Sequence, residues 1–359
     1  MTAWISRSEW YGDLHQLGST RLVTLDEGPE RGVRVIEFRN AAGLEMGVLV
    51  DRGFDIAWCR VNGRSLAWHS PTGFTGPWYR EPSGIGFLRS FGGGLLTTCG
   101  LDHILFPEDD PLDTYNFPGR DKTTYGLHGR VGSTPASSFR HGLEDGTPPI
   151  LVASGIVRQT GALAENLVLE RRISVPLDEN RIEIVDTVRN EGWLPTPHMI
   201  LYHMNFGAPL LGPETEFVAQ VEEVVFRSPT AESEADDVYR RFRAPTAGFA
   251  EQAFQHQMRP NADGLVEVSL VNRSDEERPW GVTLSYDAEQ LPAFIQWRLL
   301  DRGAYVVGLE PSTNGLGGRA DARSKGTLRI LEPGAERHYR LSLSVIEGNG
   351  LAQPDSAHA

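Results

Sequence analysis

Apolar and polar residues alternate with a period of two over much of the chain. Near the C-terminus Tyr339, Leu341, Leu343 and Val345 are separated by Arg340, Ser342 and Ser344, the pattern of a strand that buries one face. The same alternation recurs in residues 33–38, 181–186, 265–270 and 281–286. Turn-forming clusters such as Val61-Asn62-Gly63-Arg64, Leu177-Asp178-Glu179-Asn180 and Glu332-Pro333-Gly334 separate these runs. Only residues 231–243 predict a helix, through Ala235, Val238, Tyr239 and Phe242. A doubly wound α/β fold needs helices between its strands, and they are missing. The pattern therefore predicts an all-β fold, a large antiparallel β-sandwich of two sheets packed face to face. A propeller would repeat itself about every forty residues, and no such period is present. Composition does not shift along the chain, so residues 1–347 are expected to form one domain, with small, polar residues 348–359 as a frayed tail.

The charge balance narrows the partners. With 34 basic against 48 acidic residues the net charge is −14, which argues against nucleic acid, since that would need a basic face. Cys59 and Cys99 have no metal-like spacing and suit buried thiols in a reducing compartment. The first ten residues show no basic region leading into an apolar stretch. Nowhere do about 18 apolar residues run together, so no membrane span is expected. A cytoplasmic location follows as the expectation; a homodimer is left open.

Five segments place polar residues where packing alone does not call for them. In Phe87-Leu88-Arg89-Ser90-Phe91-Gly92-Gly93-Gly94 the successive glycines allow close approach to another backbone or to a ligand. A phosphate loop would need a helix to follow, whereas 95–99 reads as a strand. His128 sits between Gly126 and Gly129 at a strand start; a lone histidine there is more often structural than catalytic. In Pro197-His198-Met199-Ile200-Leu201-Tyr202-His203-Met204-Asn205 the two histidines are an odd number of residues apart and so face opposite sides of a strand. His203, at the strand end, is the better candidate. Val307-Gly308-Leu309-Glu310-Pro311 ends a strand in a carboxylate that could act as a base if partly desolvated. The same Glu-Pro pair at Glu332-Pro333 leads into a plain turn, so what distinguishes Glu310 is the Ser312-Thr313-Asn314 that follows. Finally, Gln296, Trp297 and Arg298 combine an aromatic platform with amide and guanidinium groups that suit a sugar, although Trp297 reads equally well as core.

Taken in order, these motifs resemble the aldose 1-epimerase (galactose mutarotase-like) superfamily, nearest its hexose-phosphate epimerase branch and the uncharacterised relatives of that branch. The corresponding stretches here are Arg89 to Gly94, His128-Gly129, Tyr202-His203-Met204-Asn205-Phe206 and Val307-Gly308-Leu309-Glu310-Pro311. The resemblance runs from about Val33 to Val345. It departs where an aromatic-proline segment is replaced by Thr98-Cys99-Gly100-Leu101-Asp102-His103, which implies altered substrate contacts.

The resemblance implies a small-molecule sugar as substrate, opened and reclosed by general acid–base catalysis with no metal, nucleotide or other cofactor. It makes Glu310 the base, His203 the acid and His128 an assistant at the ring oxygen or a hydroxyl. Arg89, Asp102, His103, Asn205, Gln296 and Trp297 are the expected substrate contacts, with Asp102 a weak candidate for a hydroxyl-holding carboxylate. Glu310 is expected to be ionised, its charge holding His203 protonated. Two other readings share the fold: isomerisation or epimerisation of a keto or deoxy sugar, and carbohydrate binding without catalysis.

Overall fold

The computed structural model describes residues 8–111, 121–232, 234–275 and 278–348; residues 349–359, most of the expected tail, lie outside them. The chain forms the all-β sandwich that its period-two pattern predicts. One sheet has eight strands, in the order Thr215–Ala219, Leu265–Asn272, Trp280–Asp287, Glu336–Glu347, Arg181–Asn190, Asn166–Pro176, Ile150–Thr160 and Ala136–Glu144. A seven-stranded sheet runs Val221–Arg227, Gln252–Met258, Ala293–Asp301, Ala304–Ser312, Thr196–Gly207 and Arg329–Leu331, with Thr97–Leu101 also paired to Thr196–Gly207. Five strands between Ser19 and Ser65 form a third sheet, and Glu108–Pro111 pairs with Lys122–Tyr125 as a ribbon.

In Arg181–Asn190 every second residue is buried, as expected of a strand with one wet face. Thr196–Gly207 is different, because all twelve of its residues are buried. Its even-numbered Ile200, Tyr202, Met204 and Phe206 join the main core. On the same side His198 Nε2 lies 2.7 Å from the Tyr339 hydroxyl, and the Tyr202 hydroxyl donates to Asp186 at 2.8 Å. Tyr339 and Asp186 both belong to the eight-stranded sheet, so this face looks into the sandwich. Met199 and Leu201 join a second cluster with Cys99, Leu105 and Ile295, roofed by Ala322. The parity of a strand thus sends His198 inward and His203 outward.

Residues 231–243 do not form the expected helix. Two single 3₁₀ turns, Pro229–Ala231 and Val238–Arg240, stand in its place. The backbone carbonyls a helix would use are taken by side chains. Arg298 Nη1 donates to the carbonyls of Val238 (2.7 Å) and Arg241 (3.0 Å), and Gln296 donates to that of Tyr239 at 2.9 Å. Among the described residues the one α-helix is Gly318–Ser324, too short to leave a periodic signal in the sequence. The strand expected at 95–99 is shifted to Thr97–Leu101. Just before it, a Cβ at Gly94 would stand 2.7 Å from the Ile56 carbonyl and 3.0 Å from that of Ala57, so that glycine lets two backbones meet.

Candidate active site

The site is built on the outward side of the seven-stranded sheet. Ala304–Ser312 pairs with Thr196–Gly207 in a register that sets Leu309 opposite Met204 and Ser312 opposite Leu201. Glu310 and His203 are therefore cross-strand neighbours. His203 Nε2 lies 3.2 Å from Glu310 Oε1, with both side chains almost wholly buried. Yet Glu310 Oε1 and His203 Nδ1 have no aligned hydrogen-bond partner among the described residues. Buried polar atoms are nearly always satisfied, so an exception calls for a functional account.

Neighbouring positions complete the pair's surroundings. Gly308 lies beside it; a Cβ there would collide with Glu310 Oε1 and stand 3.1 Å from His203 Cε1. Trp297 is opposite Gly308 on the next strand and meets the His203 ring edge-on, with centroids 5.5 Å apart. Its indole N–H donates to Glu251 at 3.0 Å. His128 sits 5.7 Å from His203, ring centroid to ring centroid, and packs against Phe87 at 4.9 Å. It occupies a turn with φ of 60°, not the strand start expected, because Lys122–Tyr125 ends before it. The Leu105 N–H approaches His128 Nδ1 at 3.4 Å, which leaves the Nε2 side of a neutral ring as the donor.

Burial governs the charges here. It raises the Glu310 carboxyl well above the usual carboxylate range, with the nearby Glu251 charge adding to the rise. It lowers His203 to about 4, an effect the Asn205 side chain only partly offsets. His128 is pushed well below its ordinary value by burial first and by its neighbours His203 and His103 second. These shifts run against the expected pair of ions, because burial favours the neutral form of both groups. The two groups lie 3.2 Å apart, close enough to exchange a proton.

A cavity of about 570 Å³ opens over this pair. Glu310, His203, His128 and Trp297 line it, together with Glu251, which sequence reasoning missed. Glu251 is an isolated acid just before Gln252–Met258, and its only legible signal is that it shares strand parity with Ala253, which pairs with Trp297.

The other expected contacts lie outside the lining. Arg89 is exposed and donates to Glu81 at 3.1 Å. Asp102 accepts from Gln159 at 2.6 Å, and His103 Nε2 lies 2.8 Å from the Phe106 carbonyl while its ring stacks on Tyr125. Asn205 donates to the carbonyls of Gly94 and His203, both at 3.0 Å. Gln296 bonds His256 and the Tyr239 carbonyl on the opposite side of its strand from Trp297, because adjacent strand residues face opposite ways. Among the described residues no group of three or more His, Cys, Asp or Glu is placed to hold a metal ion.

This sandwich is the galactose mutarotase-like fold. A candidate aldose 1-epimerase from Klebsiella pneumoniae superposes with a TM-score of 0.83 at 22% identity, over 94% of this chain and 87% of that one. A galactose mutarotase-like protein from Clostridium acetobutylicum gives 0.61 at 12% identity, over 91% and 98%. A galactose 1-epimerase from Lactobacillus acidophilus gives 0.56 at 14% identity, over 92% and 99%. Within that fold, the chain belongs to the family described as Domain of unknown function (DUF4432), whose model matches residues 30–345. No curated protein matches the sequence.

Proposed function

We infer that residues 1–347 act as one catalytic unit, an isomerase of the aldose 1-epimerase type that interconverts the anomers of a sugar or sugar derivative. The observation that carries this reading is the buried His203–Glu310 pair, 3.2 Å apart at the floor of a cavity. The names borne by the fold's neighbours point the same way.

Ring opening needs one proton delivered to the ring oxygen and one removed from the anomeric hydroxyl. With the proton on His203, the Glu310 carboxylate takes the hydroxyl proton while the imidazolium protonates the ring oxygen. The bond from C1 to the ring oxygen breaks as the C1 carbonyl forms. Glu310 is then protonated and His203 neutral, the arrangement that burial favours. Rotation about C1–C2 and the reverse transfers close the ring as either anomer. Started from the neutral pair, the same transfers run with the roles exchanged, and His128 is placed to donate to a hydroxyl.

A positioned acid or base is worth about 10² to 10⁴ in rate. Glu310→Gln keeps the shape and cannot exchange a proton, so anomer exchange followed by polarimetry across a panel of aldoses should fall by at least about 10²-fold. A Glu310→Gln protein that equalises anomers at the wild-type rate would remove the pair from the chemistry.

A further inference from the structure

Around the acid–base pair the cavity turns apolar. Ile85, Leu88 and Phe106 line it while remaining 63%, 52% and 64% exposed, and Phe226 joins them at 43%. These residues come from three separate segments of chain, and their convergence on one opening is an apolar rim rather than scattered surface residues. Deeper in, Leu105 and Leu316 continue the wall. The hydroxyls that line it are already engaged. Thr230 donates to the Glu251 carbonyl at 2.5 Å, and Ser228 Oγ lies 3.0 Å from Thr230 Oγ1 and accepts from the Ala253 N–H at 3.1 Å.

Charge adds a second constraint. No Lys or Arg lines the cavity among the described residues, whereas the carboxyl groups Glu251 and Glu310 do. A phosphate or sulfonate would meet acids with no cation to pair with. A free hexose would set hydroxyls against carbon along most of the wall, leaving them unpaired. The volume of about 570 Å³ falls within the roughly 300–1,000 Å³ of pockets that enclose drug-sized ligands.

Taking the pair to act on anomers as above, we propose that the substrate is an aldose carrying an acyl or aryl group remote from its anomeric carbon, not a free or phosphorylated sugar. The pyranose ring sits over Glu310, His203 and Trp297, and the substituent lies along Leu88, Phe106 and Phe226.

Glucose, galactose and mannose, each as the parent sugar, the 6-O-hexanoyl ester, the 6-O-benzoyl ester and the 6-phosphate, provide the test. Binding is measured by calorimetry on the Glu310→Gln protein, and anomer exchange by NMR on the wild type. Each buried methylene strengthens binding about fourfold, so in at least one sugar series an ester should bind at least about tenfold tighter than its parent, and the phosphate more weakly than the parent. The double variant Leu88→Gln/Phe106→Gln should erase the ester's advantage. Parent or phosphate binding as tightly as the esters overturns the proposal, as do no binding by any probe and an ester advantage that survives the double variant. Tight ester binding without anomer exchange in the wild type leaves the ligand class standing and removes the isomerase reading instead.

Discussion

At position 308 a hydrogen stands where any other residue would place a carbon, and Glu310 reaches into that space. Gly308→Ala should therefore displace the carboxyl from His203 and lower kcat for anomer exchange by at least about tenfold, since small misplacements of reacting groups are expensive. Retention of the wild-type kcat would show that the carboxyl has another position from which to work. Glu310 also has a signature in stability. Its folded pKa lies above the unfolded value near 4.5, so its contribution is fully present below that pH and is lost as pH rises toward the folded value. Glu310→Gln should consequently be more stable than the wild type at pH 8, with the difference closing toward pH 4 in urea titrations. A variant less stable than the wild type at pH 8 would mean that Glu310 is held ionised.

One wall of the cavity depends on a short helix. Gly318–Ser324 is held by the ribbon Glu108–Pro111: Glu108 accepts from the N–H groups of Arg319 (2.8 Å) and Ala320 (2.7 Å), and Asp110 accepts from Arg319 Nε and from Arg323 at 2.6 Å. Arg319 Nη1 also donates to the Asp102 carbonyl. Removing one partner of a buried ion pair costs about 3–5 kcal/mol. Arg319→Ala should lose on the order of that stability in a denaturant titration and raise KM more than it lowers kcat, because Leu316 and Leu105 beside it form cavity wall and take no part in proton transfer. A kcat loss with unchanged KM would contradict this.

Legibility in the sequence follows the same division between strands and their connections. Strand parity, a local rule, puts His203 and His198 on opposite faces, and Glu310 is set apart by the Ser312-Thr313-Asn314 that follows it. The strand ends expected at these two residues are not there, since the strands run on to Gly207 and Ser312. Gln296 shows the rule neglected: read as a companion of Trp297, it belongs to the opposite face by the same parity. Glu251, Arg89 and the absent helix at 231–243 depend on what comes near in three dimensions, which spacing along the chain does not encode.

For the molecule as a whole, the fate of its histidines sets the behaviour in acid. His198, His203 and His256 are each lowered to about 4 by burial, and His69, His103 and His128 are lowered as well. The folded protein favours the neutral form of each ring more than the unfolded chain does, so this stability is present above about pH 6.5 and is lost as pH falls below it, toward 4 for His198, His203 and His256. Glu310 and Asp55, raised by burial, act in the opposite sense, but six imidazoles oppose two carboxyls. The urea midpoint should fall steadily between pH 6.5 and 4.5, each imidazole lowered to about 4 contributing at most about 3 kcal/mol. A flat profile would show that these rings are charged in the folded protein.

The strand Thr196–Gly207 presents the sandwich with Tyr202 on one side and the cavity with His203 on the other. Sliding it by a single residue would exchange those two duties along its whole length. Folding correctly and positioning the imidazole are thus the same event. If the proposed substituent lies along Leu88, Phe106 and Phe226, substrate preference is set in those bordering segments, with the register of the strand left untouched.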